Sequence, residues 1–231
     1  MILVSGRNDA MNGRNKYLCR SETIGHMNKL ITEGIGTFFL MLAILLSTGP
    51  WAALAIGLML MALMYSGMRL SGSQYNPAVS LALLLQGRLH RDEFPGYIFA
   101  QLCGATLAAI MGGFLLTFHT NAEVVVRTNH TLGVLTGEFL GTFMLIYVYL
   151  HVILPEKTRG NQYYGLVIGL TLTALMSMFT EVSGAIFNPA VAIGLSISGK
   201  LAWSDLWMYF ITNLLGAAVA GTVFTLVKSE E

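Results

Sequence analysis

Charge is what this sequence has least of. Of its 231 residues only 11% are Asp, Glu, Lys or Arg, where a soluble domain carries about 25%. So few charges cannot cover a surface that faces water. Neither sign dominates, since 13 Lys and Arg stand against 12 Asp and Glu, and a formal charge of +1 excludes a basic nucleic-acid-binding surface. Cysteine is limited to Cys19 and Cys103, too few for a disulfide framework or a four-thiolate metal site. Catalytic signatures are missing as well: there is no GxSxG, no P-loop and no HExxH. The five histidines fall mostly in loops or at span ends, without metal-ligand spacing. The expectation is therefore no enzyme, no metal and no cofactor. Apolar residues, by contrast, make up 55% of the chain, and mean hydropathy is +0.65. Such a composition belongs to an integral membrane protein.

A helix needs about 20 mostly apolar residues to cross a hydrocarbon core roughly 30 Å thick. Six segments meet that requirement: 30–47, 51–68, 94–118, 133–154, 163–180 and 206–227. Two further apolar runs, 78–85 and 190–197, hold eight residues each, about 12 Å as helix and less than half the core. Each follows an Asn-Pro-Ala tripeptide, Asn76-Pro77-Ala78 and Asn188-Pro189-Ala190, which sets proline at a favourable first helical position. Short, proline-started apolar segments in matching places predict re-entrant half-helices. Residues 1–28 form a polar arm without the apolar stretch of a signal peptide, expected to be poorly ordered. All of the 13 Lys and Arg except Arg127 and Lys200 fall on the side of the termini. The positive-inside rule then places both termini in the cytoplasm.

The chain also copies itself. Asn76-Pro77-Ala78-Val79 returns as Asn188-Pro189-Ala190-Val191 at a shift of 112, together with Ile56-Gly57-Leu58, Ala62-Leu63-Met64 and Ser71-Gly72. The first span matches the fourth at a shift of 105, through Glu33-x-x-Gly36-Thr37-Phe38 and Glu138-x-x-Gly141-Thr142-Phe143. The predicted organisation is a cytoplasmic arm over 1–28, a first repeat over 29–118, an extracellular connection over 119–132, a second repeat over 133–228 and a short tail over 229–231. Each repeat crosses the membrane three times, an odd number, so the second lies inverted relative to the first. Inverted repeats put a shared site at their interface near the midplane. The two half-helices enter from opposite sides, and their N-termini should meet there.

Two opposed helix N-termini make a zone of positive potential, about half a charge each, that acts as a barrier to cations. Asn76 and Asn188 occupy the cap positions, where the side-chain oxygen accepts from the backbone of the next turn and the amide donors face the lumen. The stretches 71–75 and 183–187 should run extended, with carbonyls of Gly72, Ser73, Gln74, Gly184, Ala185 and Ile186 forming a ladder of acceptors. Glu33 and Glu138 are carboxylates at membrane depth, a feature that flags function. They suit either proton carriage or support of the re-entrant loops, and the loop N–H groups within reach favour support.

Paired Asn-Pro-Ala boxes, each within Ser-Gly-x-x-x-Asn-Pro-Ala-Val, together with the Glu-x-x-Gly-Thr-Phe openings, resemble the aquaporin, or major intrinsic protein, family over nearly all of residues 28–228. The resemblance implies an all-α membrane fold of six transmembrane helices plus two re-entrant half-helices in two inverted repeats. It also implies a homotetramer with one pore per subunit in the lipid bilayer, passive passage of water and small uncharged solutes, and no cofactor. By the same resemblance Glu33 and Glu138 support the loops. The family's second constriction maps onto Ile56, Met176, Ala185 and Val191. Here Val191 stands where the family usually has arginine, Met176 where water-selective members have histidine, and Gln74 where histidine often precedes the first asparagine. A filter without arginine loses a fixed charge and several donors, which favours bulkier neutral solutes such as polyols, urea-like molecules or metalloid acids. The same apolar neck also suits a narrow gate that closes by dewetting. Competing readings are an efficient water pore, a proton-coupled transporter using Glu33 or Glu138, and a non-conducting junctional protein. Short loops and compact ends fit a bacterial inner membrane.

Overall fold

The computed structural model describes residues 7–117, 130–155, 158 and 160–227, with side chains from residue 25 onward. Among them every regular element is helical: α1 (Arg7–Leu46), α2 (Ala52–Gly67), α3 (Pro77–Leu85), α4 (Phe94–Leu116), α5 (Thr131–Ile153), α6 (Tyr164–Ser183), α7 (Pro189–Ile197) and α8 (Leu206–Val227), the last entered through a 3₁₀ turn at Trp203–Asp205. Five helices are long and apolar enough to cross a bilayer, α1 through its part Gly25–Leu46. The sixth segment expected to cross, α2, has 16 helical residues, about 24 Å at 1.5 Å per residue. Turns bonded from Met68 to Met64 and from Ser71 to Gly67 carry it further. The described residues are thus all-α, with the six longer helices and two half-helices that were expected.

One expectation is corrected. Helix α1 starts at Arg7, inside the arm expected to be poorly ordered, because no proline interrupts the chain before Pro50. The connection over 119–132 lies mostly outside the described residues, as does the short tail over 229–231.

Exposure follows the solvent that the composition demands. Phe99, Leu107, Ile110, Phe114, Met178 and Leu215 are all more than half exposed. In water so many large apolar side chains would drive aggregation, whereas lipid accepts them. The buried stripes are instead rich in small residues. Helices α2 and α6 cross at Gly57 and Gly169, and a Cβ on either would lie 2.5 Å from the other's carbonyl oxygen. Gly57 and Gly169 are 112 apart in sequence, so this contact sits on the axis relating the repeats. Without a hydrophobic drive between helices in lipid, such backbone approach supplies the packing energy.

Within each repeat the long helices pair, α1 on α4 and α5 on α8, while the half-helices cross over, α3 onto α8 and α7 onto α4. The two repeats are thus interlocked around the half-helices. Nine residues of helix in α3 and nine in α7 give about 27 Å together, close to a full core thickness.

Candidate functional site

The half-helices begin as proline chemistry predicts, with Pro77 and Pro189 in the first turn and the asparagines extended at φ −157° and −154°. Asn76 Oδ1 accepts from Ala78 N at 2.9 Å, and Asn188 Oδ1 accepts from Ala190 N at 3.0 Å and Val191 N at 3.4 Å. The two tips then join. Asn76 Nδ2 donates to Phe187 O at 2.8 Å, and Asn188 Nδ2 donates to Tyr75 O at 2.9 Å. Each amide therefore fastens its own helix and grips the residue before the opposite asparagine. This corrects the expectation that both donors of each NH₂ face the lumen, because one N–H of each is engaged and a single donor per asparagine remains. Pro77, Ala78, Pro189 and Ala190 are buried and serve to set the asparagines in place.

The segments leading to the asparagines are not extended. Gly72 and Gly184 have φ of 87° and 86°, and four residues with side chains also hold positive φ: Ser73 50°, Tyr75 50°, Ala185 52° and Phe187 49°. Glycine tolerates that region freely, but the others cost about 1–3 kcal/mol each. The compensation comes from the buried carboxylates. Glu33 accepts from Ser71 Oγ at 2.6 Å, Gln74 N at 2.9 Å, Tyr75 N at 2.6 Å and Gln101 Nε2 at 2.9 Å. Glu138 accepts from Ser183 Oγ at 2.8 Å, Ile186 N at 2.9 Å and Phe187 N at 2.7 Å. Hydrogen bonds to a charged group contribute about 1.5–3 kcal/mol each, enough to hold the left-handed residues. With their N–H groups drawn to the glutamate, the loops turn their carbonyls the other way.

One cavity runs between the repeats, about 40 Å³ open to water-sized spheres. It contains both asparagines and all four positions assigned to the constriction, Ile56, Met176, Ala185 and Val191. Nearly all of its lining falls into pairs related by the repeat. Leu40/Leu145, Ile56/Ile168, Leu60/Leu172, Met64/Met176, Asn76/Asn188 and Val79/Val191 are identical pairs, while Ile44/Tyr149, Ser73/Ala185 and Gln74/Ile186 differ. Phe187 completes the wall. At about 10–15 Å³ per water, the space accepts roughly three in file. The sequence left a wide neck and a closed one open. The small volume fits a narrow route, and Ile56, Met176 and Val191 all stand in its lining.

The carbonyl ladder needs revision. Ser73, Gln74, Ala185 and Ile186 line the cavity, whereas Gly72 and Gly184 do not. The Gly72 carbonyl is taken by the Tyr149 hydroxyl at 2.6 Å, and both glycines act as the turn that brings the chain inward. Glu33 and Glu138 are fully buried and stay off the cavity wall. Sequence reasoning missed Tyr149. It also missed Tyr97 and Tyr209, which donate to the Ser71 and Ser183 carbonyls at 2.9 and 2.7 Å. The signal for the last two was present, since 97 and 209 are 112 apart. For Tyr149 the signal was a break in the repeat, because its partner at a shift of 105 is Ile44. Among the described residues no three His, Cys, Asp or Glu come together in a metal-binding group.

Opposed half-helices, capped by crossed asparagines and flanking a narrow cavity inside an apolar bundle, define a membrane channel. The Major intrinsic protein family matches residues 48–224. The chain is 30% identical over 228 residues to Aquaporin NIP3-1 of Arabidopsis thaliana, covering 90% of this chain and 69% of that one. It is 32% identical over 219 residues to Glycerol uptake facilitator protein-like 6 of Lactiplantibacillus plantarum, covering 89% of this chain and 100% of that one. The X-ray structure of the aquaglyceroporin from Plasmodium falciparum shares the fold, with a TM-score of 0.76 at 22% identity over 88% of this chain and 97% of that one. The chain belongs to the major intrinsic protein family, a family of membrane channels and not of enzymes.

Proposed function

We propose that the protein is a passive pore for small uncharged solutes and water, with its route through the cavity between Asn76 and Asn188. The observation that carries this reading is the cavity itself, which has no charged side chain on its wall yet holds two half-helix N-termini at its centre. Their dipoles disfavour cations and protons, the barrier attributed to paired half-helices in aquaporin-type pores. The remaining amide donors of Asn76 and Asn188 and the carbonyls of Ser73, Gln74, Ala185 and Ile186 replace a solute's hydrogen bonds to water. Ile56, Met176, Ala185 and Val191 set the size limit. Polyols, urea-like molecules and metalloid acids fit the chemistry, and the names of two relatives, a glycerol uptake facilitator-like protein and an aquaglyceroporin, agree with the first of these.

The narrowness of the cavity favours a second reading, in which water passes faster than any solute. Proton coupling is disfavoured, because Glu33 and Glu138 lie off the route and accept bonds from their own loops. The termini are assigned to the cytoplasm on the charge distribution, the membrane to a bacterial inner membrane, and the assembly to a homotetramer as the family resemblance implies. Stopped-flow light scattering of proteoliposomes under glycerol, urea and sucrose gradients tests the reading. Solute permeability above that of protein-free liposomes is the expected result. Flux of water alone selects the second reading, and no flux of either kind refutes both.

A further inference from the structure

An inverted repeat leads to equal chemistry in the two halves of the lumen, and the lining departs from it in one direction only. All three unlike pairs put the polar member on the half formed by the loop before Asn76. Ser73 and Gln74 belong to that loop, opposite Ala185 and Ile186 in the other half. Tyr149 is fixed there by its bond to the Gly72 carbonyl, whereas Ile44 takes the equivalent place. Three of the four positions assigned to the constriction make no such distinction, since Ile56, Met176 and Val191 return as Ile168, Met64 and Val79, and the fourth, Ala185, is the apolar member opposite Ser73. Beyond the two asparagines, the hydrogen-bonding side chains of the lining therefore lie on the α3 half.

Of the three polar groups, Ser73 Oγ is engaged with Tyr75 Oη at 3.1 Å and with the Leu63 and Met64 carbonyls at 3.4 and 3.3 Å. Gln74 differs. Its side chain is 5% exposed, its amide oxygen is buried, and no protein group among the described residues bonds it. Buried amides without partners are rare because desolvation is then uncompensated. The Tyr149 oxygen, having donated to Gly72, keeps acceptor capacity on the same cavity.

We propose that the Gln74 carboxamide and the Tyr149 hydroxyl oxygen form a solute-recognition site on the α3 half of the lumen, selective for neutral solutes that donate and accept hydrogen bonds at adjacent atoms, as urea and its amide relatives do. A carboxamide pairs with such a solute through one donor and one acceptor at once. The site deepens the reading of the protein as a solute pore and rests on it. Binding on one half drives no net transport; it makes flux saturable and separates solutes of equal size by their hydrogen bonds.

The test compares urea and water permeability in proteoliposomes for wild type, Gln74→Met and Gln74→Ile, each first shown to elute as a single species in detergent. Gln74→Met keeps volume and flexibility, and Gln74→Ile copies the residue already present at 186. The expected result is a urea-to-water permeability ratio about tenfold lower in either Gln74 variant, the scale of one lost hydrogen bond. Equal losses of urea and water flux, or an unchanged ratio in a folded Gln74 variant, would overturn the site while leaving the solute pore intact. A wild type that passes glycerol or water but no urea overturns this site alone, and one that passes none of the three overturns the pore reading with it.

Discussion

Replacing Glu138 by glutamine separates support of the loop from proton carriage. Glu138 Oε1 takes Ser183 Oγ and Ile186 N, and Oε2 takes Phe187 N at 2.7 Å. A glutamine can keep its oxygen at the first place, but its NH₂ then faces the Phe187 N–H, donor against donor. One backbone donor loses its acceptor and one amide donor is left buried, each worth about 1–3 kcal/mol, so the variant should lose about 2–6 kcal/mol. Turning the amide over is worse, because Ser183 and Ile186 both lose their acceptor. Glu33→Gln should cost a similar amount, because the new NH₂ faces the Tyr75 N–H and the Gln101 amide nitrogen, which also donates to Ser80 Oγ and would lose both acceptors if that amide turned. Fluorescence-detected thermal melting in detergent reads both. Both variants should melt about 4 °C or more below wild type, and solute uptake should ignore a pH gradient in wild type. Wild-type stability in Glu138→Gln, or pH-driven uptake that this variant abolishes, would refute the structural role.

Four more substitutions test the same geometry. Gly57→Ala puts a Cβ 2.5 Å from the Gly169 carbonyl and should cost about 1–3 kcal/mol by forcing α2 from α6. Gly113→Ala, with nothing within 4 Å, should melt like wild type. Asn76→Asp keeps an oxygen for the α3 cap but turns the 2.8 Å donation to Phe187 O into repulsion and adds a negative charge to the lumen. Its liposomes should therefore lose an imposed pH gradient faster than wild type, read with an entrapped dye, and equal decay would count against the dipole barrier. Val191→Arg fills a side-chain site that is 1% exposed and should cut glycerol or urea flux about tenfold or more, with water flux falling less; a loss confined to water would contradict the size-limit role.

The fold was legible in the sequence because lipid imposes strong rules. Long apolar runs showed the crossings, and Pro77 and Pro189 at the head of two short runs showed the half-helices. The shifts of 112 and 105 supplied the inverted symmetry. Glu33 and Glu138 stood out because a carboxylate at depth must have donors, and each lies in the same repeat as the loop whose N–H groups it takes. Other features resisted for physical reasons. The crossed bonds from Asn76 to Phe187 and from Asn188 to Tyr75 join residues 111 and 113 apart, a distance at which spacing says nothing about contact. The left-handed Ser73, Tyr75, Ala185 and Phe187 carry no mark in residue type, since such φ values are normally left to glycine, and tertiary bonds to the glutamates hold them. Tyr149 was hidden by the repeat itself: matching halves draw the eye to what recurs, and this tyrosine matters because its partner is Ile44.

The most direct test of the central claim asks whether solutes pass beside the asparagine tips. In a background carrying Cys19→Ser and Cys103→Ser, the substitution Val191→Cys puts one thiol on the cavity wall next to Asn188, and mercuric ion is added to proteoliposomes during solute efflux. Prompt loss of flux, reversed by a thiol reductant and absent from the cysteine-free background, is the predicted result. Mercury bound at the introduced thiol, confirmed by mass spectrometry, with flux undiminished would place the route elsewhere and contradict the account.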